Sequence, residues 1–219
     1  MSFPTTRQTR LIVKPVWFAA CLSPFLWLLL NAFEFAGPGL GADPIEAVQD
    51  FMGEWGLRML LLTLALTPLR QLTGRAWIIQ LRRMTGLFAL FYIGVHFLNY
   101  VTLDQGFAWS AILEDILERP FITLGAIALL AMIPLGITST NGWRRRLGRK
   151  WNTLHRLVYP IAILGCWHFW WQVKEDITEP AIYVAILAVL LGFRLYTRTK
   201  NKRAAAVSSS QSTNTVARS

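Results

Sequence analysis

Six stretches of the chain are apolar for long enough to be read as helices crossing a hydrocarbon core about 30 Å thick, which takes about 20 mainly apolar residues each. They fall at roughly 16–33, 55–69, 86–103, 121–137, 157–173 and 180–196. In the second, Arg58 enters early and "TPLR" closes the run, and Pro68 beside Arg70 suits a helix end at an interface. The polar segments between the runs differ in sign. All 12 acids (Glu34, Asp43, Glu46, Asp50, Glu54, Asp104, Glu114, Asp115, Glu118, Glu175, Asp176 and Glu179) lie in the loops after the first, third and fifth runs or at their edges. All of the 22 Lys and Arg except Arg58, Arg119 and Lys174 lie in the N-terminus, the other two loops and the tail or at their edges. By the positive-inside rule both termini face the cytoplasm and three loops face the far side.

This pattern divides the chain into a cytoplasmic N-terminus (1–15), a six-span domain (16–198) and a tail (199–219) whose "AAAVSSSQSTNTVARS" reads as disordered. The start, "MSFPTTRQTRLIVKPVWF", has basic residues before an apolar run but no small-x-small cleavage site at the right distance, so it reads as an uncleaved first helix. No internal repeat stands out. Composition agrees: 219 residues, 54% hydrophobic, with 10 Trp and 13 Phe, are too apolar for a soluble domain of this size. The fold class expected is an all-α integral membrane protein, a six-helix transmembrane bundle.

Charge alters the picture only through its distribution. A formal net charge of +10 suggests nucleic acid until the segregation of acids and bases is noticed, after which it is a topology signal and no nucleic-acid partner is expected. The clusters "GWRRRLGRKW" and "RLYTRTKNKR" also suit anionic lipid head groups or an acidic soluble partner. Cys21 and Cys166 fall inside apolar runs and read as small buried hydrophobes, not as a disulfide. The absence of C-x-x-C-H excludes covalent attachment of a c-type heme.

The chemistry lies in three histidines. His96, in "YIGVHFLNYV", is thirteen residues beyond Arg83, which at 1.5 Å per residue puts it ~20 Å from the basic boundary. His168, in "GCWHFWWQV", is twelve residues beyond Arg156, on a span running in the same direction. One intramembrane histidine can simply hydrogen-bond a neighbouring helix, but two at matched depth on separate helices suit the two axial ligands of a heme iron, since neutral nitrogen donors are accepted by an apolar site more cheaply than charges. Gly165, one turn before His168, leaves room either for a flat macrocycle or for close helix packing. Trp167, Trp170 and Trp171 read as an interfacial belt. His155 lies ~20 Å lower, at the cytoplasmic end, where a second heme would fit; the matching height on the third span holds Arg82 and Arg83, which suit heme propionates.

The stretches "RRMTGLFALFYIGVHFLNYVTLDQ" and "RPFITLGAIALLAMIPLGITSTNGWRRRLGRKWNTLHRLVYPIAILGCWHFWWQVK" resemble the MsrQ (YedZ) family, heme-binding membrane subunits of the bacterial periplasmic protein-methionine-sulfoxide reductase system. That family is part of the ferric-reductase-like transmembrane superfamily, and the resemblance covers roughly residues 10–198. It implies one or two b-type hemes, with the outer pair of ligands mapping to His96 and His168 and the inner pair represented only by His155, Arg82 standing where its partner is expected. It also implies an FMN, for which no residues are legible: "GPGLGA" follows no strand and faces away from the cytoplasm. The implied role is electron transfer across the bacterial inner membrane, from the quinone pool or a cytosolic flavin reductase to a periplasmic molybdopterin subunit (MsrP), with which it would form a heterodimer.

About twenty residues follow the sixth run, too few for flavin and nicotinamide domains, and no molybdenum-binding domain is present, so the chain reads as an electron carrier and not as the sulfoxide-reducing subunit. Two rivals share some of these features. A stand-alone ferric or oxygen reductase subunit would differ by partner, not by heme core. A histidine-based proton relay or transporter would need titrating groups that the spans otherwise lack.

Overall fold

The computed structural model of the chain describes residues 4–35, 37, 39–173 and 176–216, with side chains described as far as Asn201. Among these residues every regular element is helical. The first helix, α1 (Thr6–Ala32), starts at a capping box in which the Thr5 hydroxyl accepts from the Gln8 N–H and the Gln8 side chain accepts from the Thr5 N–H. The second, α2 (Pro44–Thr73), starts at Asp43, whose carboxylate accepts from the N–H groups of Ile45 and Glu46, and stops at Gly74, where a φ of 68° suits a residue without Cβ. α3 (Ala76–Asp104) begins as a 3-10 turn and ends as a π-helical turn from Tyr100.

Then come α4 (Trp109–Glu118), α5 (Pro120–Ile137), α6 (Asn141–Leu147), α7 (Arg149–Leu154), α8 (Val158–Gln172) and α9 (Thr178–Val216). The basic "GWRRRLGRKW" segment is thus two short helices, capped by the Thr140 hydroxyl and broken at Gly148. The tail beyond Asn201, where composition suggests disorder, lies outside the residues whose side chains are described.

Four of these helices, counted among the described residues, are long and apolar enough to cross a membrane: Thr6–Ala32, Ala76–Asp104, Pro120–Ile137 and Thr178–Asn201. The expected second and fifth spans lie in α2 and α8. α2 is 30 residues long but carries Glu46, Asp50, Glu54, Arg58 and Arg70, and α8 has only 15 residues.

α2, α3, α5 and α8 form a central bundle, α2 packing most extensively on α3 and α5 on α8, while α1 lies against α2 and α3 and α9 against α2 and α8. Its core interleaves Met52, Leu60 and Leu64 with Ala89, Tyr92, Met132, Ile161 and Cys166. Both cysteines are buried and unbridged, as expected.

Prolines within the helices leave carbonyls without their usual N–H, a costly omission in lipid. Each of two such carbonyls is answered by a named donor. Pro24 frees the Ala20 carbonyl, which takes the Ser23 hydroxyl at 3.0 Å. Pro68 frees the Leu64 carbonyl, which takes Arg194 Nη2 of α9 at 2.8 Å. The Tyr92 hydroxyl inserts into α1, donating to the Cys21 carbonyl at 2.8 Å and accepting from the Phe25 N–H at 3.2 Å. With the Trp17 indole donating to Thr85 at 3.0 Å, this ties α1 to α3.

Candidate functional site

His96 on α3 and His168 on α8 meet across the middle of the bundle, as matched depth predicts. Their ring centroids are 6.2 Å apart and their planes lie at 85°. Both rings are oriented in the same way. Nδ1 of His96 donates to the Gln49 carbonyl on α2 at 2.9 Å, and Nδ1 of His168 donates to the Phe121 carbonyl on α5 at 2.7 Å. In each case the carbonyl lies 47 residues before the histidine.

One turn after each carbonyl stands a glycine, and each glycine makes room for the ring. A Cβ on Gly53 would sit 3.0 Å from His96 Nδ1, and one on Gly125 would sit 3.1 Å from His168 Nδ1. The α2–α3 and α5–α8 hairpins therefore repeat one local design, glycine and carbonyl on the first helix and imidazole on the second. The sequence shows no obvious repeat because little besides these positions is shared.

The chemistry of this donor set fits a metal between two imidazoles. With Nδ1 acting as the N–H donor on both rings, each Nε2 carries the lone pair. Two imidazoles bonded at about 2 Å to opposite sides of one metal have ring centroids about 6 Å apart, which is the spacing found here. The two sides differ in one respect: the Gln49 amide nitrogen stands 3.3 Å from His96 Nε2, and its oxygen accepts from Asn99 Nδ2 at 2.8 Å. A ligand on His96 would displace that amide.

At Gly165 the contact observed is one of helix packing. A Cβ there would meet Leu57 Cδ1 at 3.5 Å, an ordinary contact between α8 and α2. Trp167, Trp170 and Trp171 are all exposed on the outside of the bundle, as an interfacial belt requires.

His155 sits apart from this pair, at the head of α8, in a wide cavity of about 890 Å³. It stacks on Trp151 with ring centroids 3.9 Å apart, and its Nε2 is 3.0 Å from the Thr138 hydroxyl. Burial and then the positive charge of Arg82 hold its pKa below the ordinary histidine value. Arg82, Arg83, Lys14, Arg144 and Arg156 also line the cavity, and among the described residues no carboxylate does. Arg82 and Arg83 thus share a cavity with His155, as their matched height predicts.

Arg194 is a polar residue that span-counting overlooks. Besides the Leu64 carbonyl it donates to the Tyr159 hydroxyl, its guanidinium lies 5.0 Å from the Tyr159 ring centroid, and its Nε is buried without a partner among the described residues. Tyr159 lines the cavity, so Arg194 holds one of its walls in place. A charged residue inside an otherwise apolar run is the signal that marks it.

Comparison with known proteins gives two findings. Residues 52–166 match the family described as "Ferric reductase like transmembrane component", a segment that holds all three histidines except His168, two residues beyond its end. A protein of Xanthomonas euvesicatoria pv. vesicatoria, named protein-methionine-sulfoxide reductase heme-binding subunit MsrQ, is 48% identical over 204 residues, covering 92% of this chain and 94% of that protein. A protein of the same name from Rhodospirillum rubrum is 49% identical over 187 residues, covering 85% and 88%.

Proposed function

The chain belongs to the MsrQ family of ferric-reductase-like membrane proteins, and from that premise we propose that it is the b-type cytochrome subunit of a methionine sulfoxide reductase system. It would pass electrons from the cytoplasmic or quinone side to a periplasmic, MsrP-like enzyme that repairs oxidised proteins. The observation that carries this reading is the pairing of His96 and His168 at 6.2 Å, each with Nδ1 committed to a backbone carbonyl. His96 and His168 would hold one heme b, which when bound would supply reversible one-electron transfer. Gln49 and Phe121 fix the tautomer of the two ligands, and Gly53 and Gly125 leave the space in which the rings lie.

We assign a second cofactor to the inner cavity. His155 would ligate an inner heme, with Arg82 and Arg83 on its propionates; the same cationic lining suits the phosphate of the FMN that the resemblance implies. We place the chain in a bacterial inner membrane with six spans, α2 and α8 supplying the second and fifth, and both termini in the cytoplasm. The basic α6–α7 segment then faces the donor side and attracts a reduced flavin or an acidic flavin reductase.

The test is electron delivery in proteoliposomes, with reduced donor inside and the periplasmic reductase and a methionine sulfoxide peptide outside. Sulfoxide reduction that requires both proteins supports the reading. Equal outward reduction of ferric citrate or oxygen, indifferent to the partner, supports a stand-alone reductase in its place.

A further inference from the structure

Away from the histidines, an open trough of about 700 Å³ runs between α1 and α3 on the outside of the bundle. Its polar end is built by Arg10 and Lys14 of α1 with Gln80 and Arg83 of α3. Its remainder is apolar, with Phe18 and Leu22 on one bank and Leu87 and Phe91 on the other. Arg10, Lys14, Phe18 and Leu22 follow at steps of four, so they form one stripe down α1. Gln80, Arg83, Leu87 and Phe91 do the same on α3 at steps of three and four. In both helices the cations come at the N-terminal end of the stripe, so the trough has one charged head and one greasy tail. From Arg10 to Leu22 the stripe rises about 18 Å, close to one leaflet of a ~30 Å core.

The charge at the head is unanswered by the protein. Among the described residues no carboxylate lines the trough, and the two ion pairs found among them, Arg58–Glu54 and Arg119–Asp115, lie elsewhere. Arg83 reaches only the neutral Asn141 Oδ1, at 3.1 Å. The two helices are tied together by the Trp17–Thr85 hydrogen bond and by the edge contact of Phe18 on Phe88, so the trough is not a gap between loose helices.

We infer that this trough binds an anionic phospholipid, its phosphate between Arg10, Lys14 and Arg83 and one acyl chain along Phe18, Leu22 and Leu87. A zwitterionic lipid carries its own cation beside the phosphate and gains less from the cationic head. Lys14, Gln80, Arg83 and Leu87 line both the trough and the His155 cavity, so the bound phosphate stands on the shared wall and offsets part of the cationic excess there. The inference goes beyond the electron-transfer reading and holds or fails without it.

Native mass spectrometry of the detergent-purified protein tests it, by titration with dioleoylphosphatidylglycerol and dioleoylphosphatidylcholine. The parent retains phosphatidylglycerol in preference. The double variant Arg10→Gln/Lys14→Gln binds it about thirtyfold more weakly, from the usual strength of a surface cation on an anionic head group. Leu22→Trp, which fills the tail and leaves the charges alone, also loses it. Arg145→Gln/Arg149→Gln, which removes two cations outside the trough, does not. Equal retention of the two lipids by the parent, or unchanged binding in Leu22→Trp and in the Arg10/Lys14 variant, overturns the assignment. Circular dichroism of each variant separates lost binding from lost fold.

Discussion

Alanine at Gly53 isolates what the glycine behind His96 does. The added Cβ would stand 3.0 Å from His96 Nδ1 and 3.1 Å from Cε1, whereas carbon contacts settle at about 3.5–4.0 Å. The ring must retreat by roughly half an ångström. Retreat from α2 stretches the bond to the Gln49 carbonyl from 2.9 Å toward the limit at which it still counts, forfeiting about 1 kcal/mol. It also tilts Nε2 away from its partner across the bundle. Loss of such an orienting hydrogen bond typically weakens metal binding by about 10–100-fold. Alanine in mid-helix favours the fold over glycine by about 1 kcal/mol, so the variant should keep its helicity while losing cofactor. The assay is heme occupancy by pyridine hemochrome, with low-temperature electron paramagnetic resonance to read the ligand field. Gly125→Ala should behave the same way on the His168 side. Gly165→Ala, where the new methyl meets Leu57 in ordinary contact, should match the parent. If Gly53→Ala and Gly125→Ala keep parental occupancy and resonance, the glycines are packing residues and the reasoning is wrong.

Arg194→Met should lower stability by about 3 kcal/mol, read as a drop in the thermal midpoint in detergent, because it strands the Leu64 carbonyl that Pro68 frees and releases Tyr159. Arg194→Lys should recover only part of this, since one ammonium replaces a fork that spans two acceptors. Tyr92→Phe should cost about 1 kcal/mol, the net worth of the lost bond between α3 and α1, because the Cys21 carbonyl and the Phe25 N–H are i, i+4 neighbours that can pair with each other. Asp50 has its pKa raised by burial, with the hydrogen bond from Gln172 opposing. Its folded state therefore favours the protonated form, and its contribution to stability is lost as pH rises above the unfolded value of 3.8. Asp50→Asn should be more stable than the parent at pH 7, with the difference vanishing near pH 3.

The helical architecture and the three histidines are legible in the sequence because hydrophobic runs and ionisable residues in them are strong signals. Equal distances from two basic boundaries were enough to bring His96 and His168 together. What supports them was not legible. The acceptors are the backbone carbonyls of Gln49 and Phe121, which any residue type would supply, and Gly53 and Gly125 matter for the atoms they lack. The trace of the duplicated arrangement is a glycine, one turn after the accepting carbonyl, at the same spacing from a histidine in both pairs of helices. Gly165, three residues before His168, was the visible glycine, whereas Gly53 and Gly125 lie on other helices and far away in the chain. Arg194 was hidden at the edge of an apolar run, its role set by Pro68 on a helix more than a hundred residues earlier. The lengths of α2 and α8 also explain why they are harder to recognise as spans: one is interrupted by charge and the other is short.

The central claim is that His96 and His168 hold one metal centre between them. Optical and paramagnetic spectra of the purified parent, His96→Ala and His168→Ala, with heme quantified as the pyridine hemochrome, test it most directly. The account predicts a b-type, low-spin, bis-imidazole signal in the parent and loss of that same signal in both variants, with any inner heme at His155 left in place. A parent without a b-type Soret band, or two variants that each keep the parental signal, would contradict it.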